Sequence, residues 1–209
     1  MPAVLLIRHG ENDYSRRGIL AGRLPGIHLN KNGLAQAQQL AEALGAMPIR
    51  AIYSSPLERA IETAKPLASR LHLAIRKSAG LIESDVGKWE GKSVRRLRRL
   101  AYWRIVQQAP SRAGHPDGET FLQTQERVVR AIDAICATHA PRELIACVLH
   151  SDPIKLAVAH YLGLPLDHFQ RLGCDPASVT MIAVGPSGAR LLWLNRQPPF
   201  AAAKKVAGP

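Results

Sequence analysis

Apolar positions in this chain follow two rhythms, and the two alternate. Residues 3–7 (AVLLI) and 144–149 (LIACVL) are unbroken apolar runs, as expected of strands buried on both faces. The shorter stretches 51–53 and 73–76 predict two further strands. Between them, apolar residues recur every three or four positions. Leu34, Ala37, Leu40, Ala41 and Leu44 predict a helix, with Asn30 placed to cap it and Gly45 to end it. A second helix is predicted to about Leu71. Its N-cap is read as Ser55, with Glu58 as capping-box partner and Pro56 at the first helical position. Val128, Ala131, Ile132 and Ile135 mark a long helix that follows HPDGETF. Ile154, Ala157, Val158 and Tyr161 mark another, with Ser151 read as its N-cap and Gly163 as its stop.

Residues 8–30 are glycine-rich and predict loop, residues 80–115 are less regular with one helix over 92–107, and 179–184 and 189–194 predict a hairpin. Strand and helix therefore alternate along the chain. That order predicts a three-layer α/β/α sandwich, a mostly parallel, mixed sheet with helices on both faces. One domain is expected over 1–195, with a loosely held Pro- and Ala-rich tail over 196–209.

Composition changes this picture little. The 209 residues are 46% hydrophobic and 21% charged, as in an ordinary globular domain. No apolar run is long enough for a membrane span, and the N-terminus carries no signal-peptide pattern. Three cysteines, Cys136, Cys147 and Cys174, have no metal-like spacing, and reduced thiols in a cytoplasmic protein are expected. The net charge of +12 favours anionic partners. Part of it is concentrated in Lys92, Arg95, Arg96, Arg98, Arg99 and Arg104, read as a solvated helix face; Lys92, Arg95, Arg96 and Arg99 would share one side. No aromatic residues alternate with the basic ones, so no nucleic-acid partner is expected.

The chemistry lies where strands end. Functional sites of open α/β sheets collect at the carboxyl ends of their strands, and here LLIRHG and ACVLHS both run from a strand into a histidine. The strand AIYSS leads into a helix whose first turn holds Arg59. Two histidines, His9 and His150, and two arginines, Arg8 and Arg59, would thus meet at one sheet edge. Guanidinium forks suit phosphate oxygens, and helix-start amides after His150 would add to an anion site. HSD is not a Ser-His-Asp triad, since sequence neighbours do not point at one another and no G-x-S-x-G motif occurs.

These motifs resemble the histidine phosphatase superfamily, with its phosphoglycerate-mutase-like fold. IRHG resembles the nucleophile motif and LAGRLPGIHLNKNGLAQA the glycine loop and first helix. YSSPLERAIETA resembles the second-arginine motif, LIESDVGKWEG the acid-bearing loop, DGET the start of the later helix and VLHSDPIK the second histidine. The resemblance implies that His9 is a nucleophile forming a phosphohistidine, that Arg8, Arg59 and His150 hold the phosphoryl oxygens, and that Glu83 is the general acid and then base. It implies no metal and no cofactor. Gly22 and Arg23 are expected to touch the substrate. Two positions depart from the pattern: Ser15 stands where the family often has a phosphate-binding asparagine, and Ser151 where it has glycine; both are expected at the phosphate.

The expected activity is hydrolysis of a small phosphomonoester. The alternatives are a phosphoglycerate-type mutase and a catalytically weak phospho-ligand-binding module. Hydrolysis is favoured over the mutase because the 92–115 segment is short for a substrate-closing insertion. A small phosphorylated substrate is the expected partner, with no membrane, and a homodimer is left open.

Overall fold

The two apolar runs lie side by side. In the computed structural model, which describes residues 2–185 and 188–200, they pair in parallel with register Arg8↔Leu149. The chain runs β1 (Ala3–Arg8), α1 (Asp13–Arg16), α2 (Lys31–Leu44), β2 (Ile49–Ser54), α3 (Glu58–Leu71), β3 (Ile75–Lys77), α4 (Val94–Leu97), α5 (Ala101–Gln108), α6 (Phe121–Ala137), β4 (Leu144–Leu149), α7 (Ser151–Tyr161), β5 (Val179–Gly185) and β6 (Gly188–Arg196). Six strands form one sheet in the order β3-β2-β4-β1-β5-β6. The first four are parallel, and β5 and β6 are antiparallel.

Alternation within the central strands explains the three layers. Val4 and Leu6 of β1, with Ile145 and Cys147 of β4, face α6 and α7. Leu5 and Ile7, with Ala146 and Val148, face α2 and α3. Both strands are apolar throughout because both faces are covered. A third apolar cluster gathers Val86, Trp89, Leu97, Val106 and Phe121 beside α7. Among the described residues no helix is long and apolar enough to cross a membrane, and the three cysteines are free and buried.

Several expected details are corrected. The 8–30 loop contains α1, closed by a reciprocal Asn12–Ser15 capping box. The capping partners are adjacent to the motif histidine rather than to an apolar stripe, so no hydrophobic periodicity marks this turn. Leu34 is 54% exposed. The buried face of α2 is turned to Gly33, where an added Cβ would lie 2.0 Å from the Glu11 carbonyl oxygen. Helix α3 starts at Glu58 with Leu57 as its cap, so Ser55 forms no capping box. His150, not Ser151, is the N-cap of α7.

The helix expected over 92–107 breaks into α4 and α5. Leu97 and Val106 both enter the third cluster. Nine positions apart, they would lie on roughly opposite sides of a continuous helix. The break lets both be buried, and it dissolves the shared face expected for Lys92, Arg95, Arg96 and Arg99, all of which are exposed. At the other end, β6 extends through Arg196, whose guanidinium lies 4.9 Å from the Trp193 ring, and Phe200 stacks on that ring at 5.2 Å. The turn residues 186–187 and the tail residues 201–209 lie outside the described residues.

Candidate active site

Strands β2, β4 and β1 are neighbours and end level with one another. The residue that follows each is therefore placed at one edge: Ser55, His150 and His9. Their rings and hydroxyl meet there. The His9 and His150 rings are 5.1 Å apart in an edge-to-face arrangement, and His150 Nε2 lies 2.8 Å from Ser55 Oγ. Arg59 reaches the same edge from the first turn of α3 and is 1% exposed. Arg8, the last residue of β1, donates from Nη1 to the Cys174 carbonyl.

The protonation of His9 follows from its neighbours. Its Nδ1 lies 2.7 Å from the Gly10 carbonyl oxygen. A carbonyl only accepts, so Nδ1 carries the proton and Nε2 holds a lone pair. Burial, and then the charges of Arg59 and Arg8, hold the His9 pKa well below the usual imidazole value, so the ring is neutral. The supporting loop is fixed by close approach: the Gly10 amide donates to Thr63 Oγ1 at 2.9 Å, and a Cβ on Gly10 would lie 2.8 Å from the Gly33 carbonyl oxygen.

His150 is polarised the opposite way. Ser55 Oγ accepts the Leu57 amide at 3.3 Å and can donate its own proton to His150 Nε2. That leaves the proton of a neutral ring on Nδ1. Burial, then Arg59, His9 and Arg8, push the His150 pKa well down, which keeps the ring neutral. His150 Nδ1 is 3.8 Å from Glu83 Oε2.

Glu83 stands in a loop after β3, its Oε1 accepting the Ser84 amide at 2.9 Å. Burial and then the negative charge of Asp152 raise its pKa to about 7, against the opposing pull of Arg59. A carboxyl group so placed is half-protonated near neutrality and can both give and take a proton.

A cavity of about 280 Å³ is lined by Arg8, His9, Arg59, Glu83, Ser84 and Ser151 among others; His150 is not among its lining residues and lies against the His9 ring. Around it, Arg8 Nε, Arg59 Nε and Nη1, Ser84 Oγ and His150 Nδ1 are buried without a hydrogen-bond partner among the described residues. Apart from the Ser84 hydroxyl these are all N–H donors, converging where two neutral imidazoles meet. Buried polar groups are almost always satisfied, so an unpartnered donor set of this density is suited to a tetrahedral oxyanion.

The remaining sequence-derived candidates divide. Ser15 lines the cavity, but its hydroxyl is engaged with the Asn12 backbone in the α1 cap. Gly22 also lines it, and its carbonyl accepts Arg59 Nη2 at 2.8 Å, so it orients the guanidinium. Arg23 is not among the cavity-lining residues. Its Nε donates to the Glu83 carbonyl at 2.9 Å, and its Nη2 pairs with Glu119 at 2.9 Å. Glu119 also takes two hydrogen bonds from Arg127, whose Nη1 donates to the carbonyls of Gly80 and Ile82. Burial alone would raise the Glu119 carboxyl, but the Arg127 hydrogen bonds, the Asp85 amide and the charges of Arg127 and Arg23 hold it down at about 2. Arg23, Glu119 and Arg127 thus form a clamp on the backbone that carries Glu83.

Sequence reasoning did not single out Ser55 as a site residue, nor Asn12, Ser84, Asp152, Glu119 or Arg127. DGET held a signal for Glu119. Its partner Arg127 lies two turns along α6 with no local pattern to mark it.

The chain is 32% identical over 193 residues to a 2,3-bisphosphoglycerate-dependent phosphoglycerate mutase of Thermoplasma acidophilum, covering 88% of each chain. It is 29% identical over 198 residues to phosphoserine phosphatase 1 of Hydrogenobacter thermophilus, covering 93% of this chain and 92% of that one. Among solved structures, a mycobacterial glucosyl-3-phosphoglycerate phosphatase, seen with vanadate (VO3), superposes with a TM-score of 0.85 at 27% identity, covering 93% and 99% of the two chains. A family model spans residues 4–197, from the first buried strand through the last. With paired histidines at adjacent strand ends and that model matched from β1 to β6, this chain belongs to the histidine phosphatase superfamily, branch 1.

Proposed function

We propose that the protein hydrolyses a small phosphomonoester through a phosphohistidine on His9. The observation that carries this reading is the neutral, Nδ1-protonated His9 beside the unpartnered donors of Arg8, Arg59 and His150. In the first step His9 Nε2 attacks phosphorus. The N–P bond forms, the bond from phosphorus to the leaving oxygen breaks, and Glu83 gives that oxygen its proton. In the second step water attacks the phosphohistidine, Glu83 takes the water proton, and the N–P bond breaks to release phosphate. Arg8, Arg59 and the His150 Nδ1–H hold the oxyanions in both steps, where donors fixed in advance lower the barrier.

Hydrolysis is supported over a mutase reaction by the charge of the cavity. A mutase must hold a second anionic group while it re-presents the first. Among the described residues the arginines that line the cavity are Arg8 and Arg59, both at the phosphoryl end, and Asp152 lines it too. Ser15 and Ser151 leave His9, Arg8, Arg59 and His150 in place, which supports turnover rather than binding alone.

The test is a rapid alkaline quench during turnover of labelled phosphoester. Acid-labile, base-stable phosphate is expected on His9, with both label and turnover lost in His9→Ala. Label on another residue, or full turnover in His9→Ala, would overturn the covalent assignment.

A further inference from the structure

Beyond the phosphoryl end the cavity changes character. Ile19, Leu20, Val86, Trp89, Trp103 and Val106 form its wall. Trp89 is 5% exposed and packs at a tilt on Trp103, with ring centroids 5.5 Å apart, and it meets His115 edge-on at 5.8 Å. His115 in turn lies 4.9 Å from Phe121.

Among the described residues, the polar groups lining this part carry no free positive charge. His115 Nδ1 is 3.1 Å from the Glu119 carbonyl oxygen, so its proton is held there, and burial lowers its pKa and keeps the ring neutral. Gln107 and Gln170 are uncharged. Two cations close to this wall, Lys155 and Arg23, are already engaged. Lys155 Nζ is 2.8 Å from Asp152 and 2.7 Å from Gln170, and lies over the Phe169 ring. Arg23 is held in the clamp on the Glu83 loop.

A carboxylate or second phosphate on the leaving group would lose its water against this wall, and the Lys155 charge beside it is already balanced by Asp152. Buried charge without a partner is strongly disfavoured. A ring or short aliphatic chain would find aromatic faces, with the His115 Nε2 lone pair left for one hydroxyl. The volume, about 280 Å³ in all, falls near the small end of the range for small-molecule pockets, roughly 300 Å³.

We propose that the leaving group of the substrate is an uncharged, largely apolar alcohol about the size of one aromatic ring, seated against Trp89 and Trp103. This rests on the phosphatase reading above and narrows it to a substrate class.

The experiment compares kcat/KM of the full chain on benzyl phosphate, methyl phosphate, O-phosphoserine and 3-phosphoglycerate. All four release an alcohol, so none has the phenolate advantage of an aryl ester. Benzyl phosphate is expected to exceed both substrates whose leaving groups carry a carboxylate by about tenfold or more, the scale of a filled apolar pocket. Trp103→Ala is expected to shrink the benzyl-to-methyl ratio by a similar factor, and Gln107→Arg to raise 3-phosphoglycerate relative to benzyl phosphate. Greater efficiency on phosphoserine or 3-phosphoglycerate would overturn the proposed class while leaving the phosphatase reading intact. An unchanged benzyl-to-methyl ratio in Trp103→Ala would overturn the placement of the leaving group. No hydrolysis of any of the four, with p-nitrophenyl phosphate also untouched, would overturn the phosphatase reading and the proposal together.

Discussion

Glu83 is the residue whose environment makes the clearest prediction. Its carboxyl titrates near 7 because burial and the neighbouring Asp152 charge both oppose ionisation. A poor leaving group needs its proton, whereas a nitrophenolate does not. Glu83→Gln is therefore expected to slow alkyl phosphates about 100-fold, the scale of one general acid, and p-nitrophenyl phosphate far less. With the native protein, the rate on alkyl phosphates should fall as pH rises through about 7, as the acid form is lost. The paired histidines add no ionisation in that range, since both are held neutral. The same shift has a stability sign. A carboxyl raised from 4.5 to about 7 favours the fold fully below 4.5 and loses that contribution as pH rises through about 7. Glu83→Gln should thus melt higher than the native protein at pH 8 while matching it more closely at pH 5. Equal losses on both substrates, with no shift in the pH profile, would make Glu83 a structural residue.

The acid is delivered by a loop, and side chains from neighbouring elements hold that loop. The 80–85 segment has a 3-10 turn at Ala79–Leu81 and no strand partner of its own. Its carbonyls at Gly80, Ile82 and Glu83 are instead gripped by Arg127 from α6 and Arg23 from the glycine loop, and Glu119 balances both cations. Glu119→Gln leaves two guanidinium groups short of their carboxylate. A stability loss of about 1–3 kcal/mol is expected, the cost of unsatisfied partners in a largely buried network. A purely structural role would lower activity on all substrates alike. If the clamp acts through Glu83, the loss is larger for alkyl phosphates than for p-nitrophenyl phosphate, and Glu119→Gln adds little to Glu83→Gln in the double variant. Additive losses would remove the clamp from the catalytic pathway. Glu119 keeps its charge at any ordinary pH, because stability held by a carboxyl depressed to about 2 is lost only as pH falls toward that value.

Across the whole molecule the net charge is +12, around a site proposed here to take a phosphate dianion. Arg95, Arg96, Arg98, Arg99 and Arg104 are exposed on and beside α4 and α5, the same segment whose inner side supplies Val94, Trp103 and Val106 to the cavity. Such a field concentrates anions near the entrance and is screened over about 10 Å at 0.1 M salt. kcat/KM is expected to fall several-fold as sodium chloride rises from about 20 to 500 mM, with kcat little changed, because steering acts before chemistry. A flat kcat/KM would show that the basic surface has no part in substrate capture.

The layers of the fold, and the meeting of Arg8, His9, Arg59 and His150 at one sheet edge, were set by the sequence alone. Two unbroken apolar runs can be buried only with helices on both faces of a sheet, and a histidine after each run must then emerge at the carboxyl edge. Arg8, His9, Arg59 and His150 were legible for that reason: their positions follow from short-range pattern and from strand ends, both local properties. Tertiary structure alone decided the rest. Ser55 has the local signature of a helix cap, yet β2 sits beside β4, and its hydroxyl turns to His150. Ser151 lost the cap role to His150 because α7 begins directly at the strand end. The 92–107 helix broke because two apolar residues nine positions apart found the same cluster. Arg23, expected at the substrate, was drawn to Glu119 and the Glu83 backbone by partners more than 50 residues away in sequence. For Ser55 and Arg23 the outcome is a competition between a local preference of about 1 kcal/mol and a contact with a residue at least 60 positions away, and no local window of sequence contains both competitors.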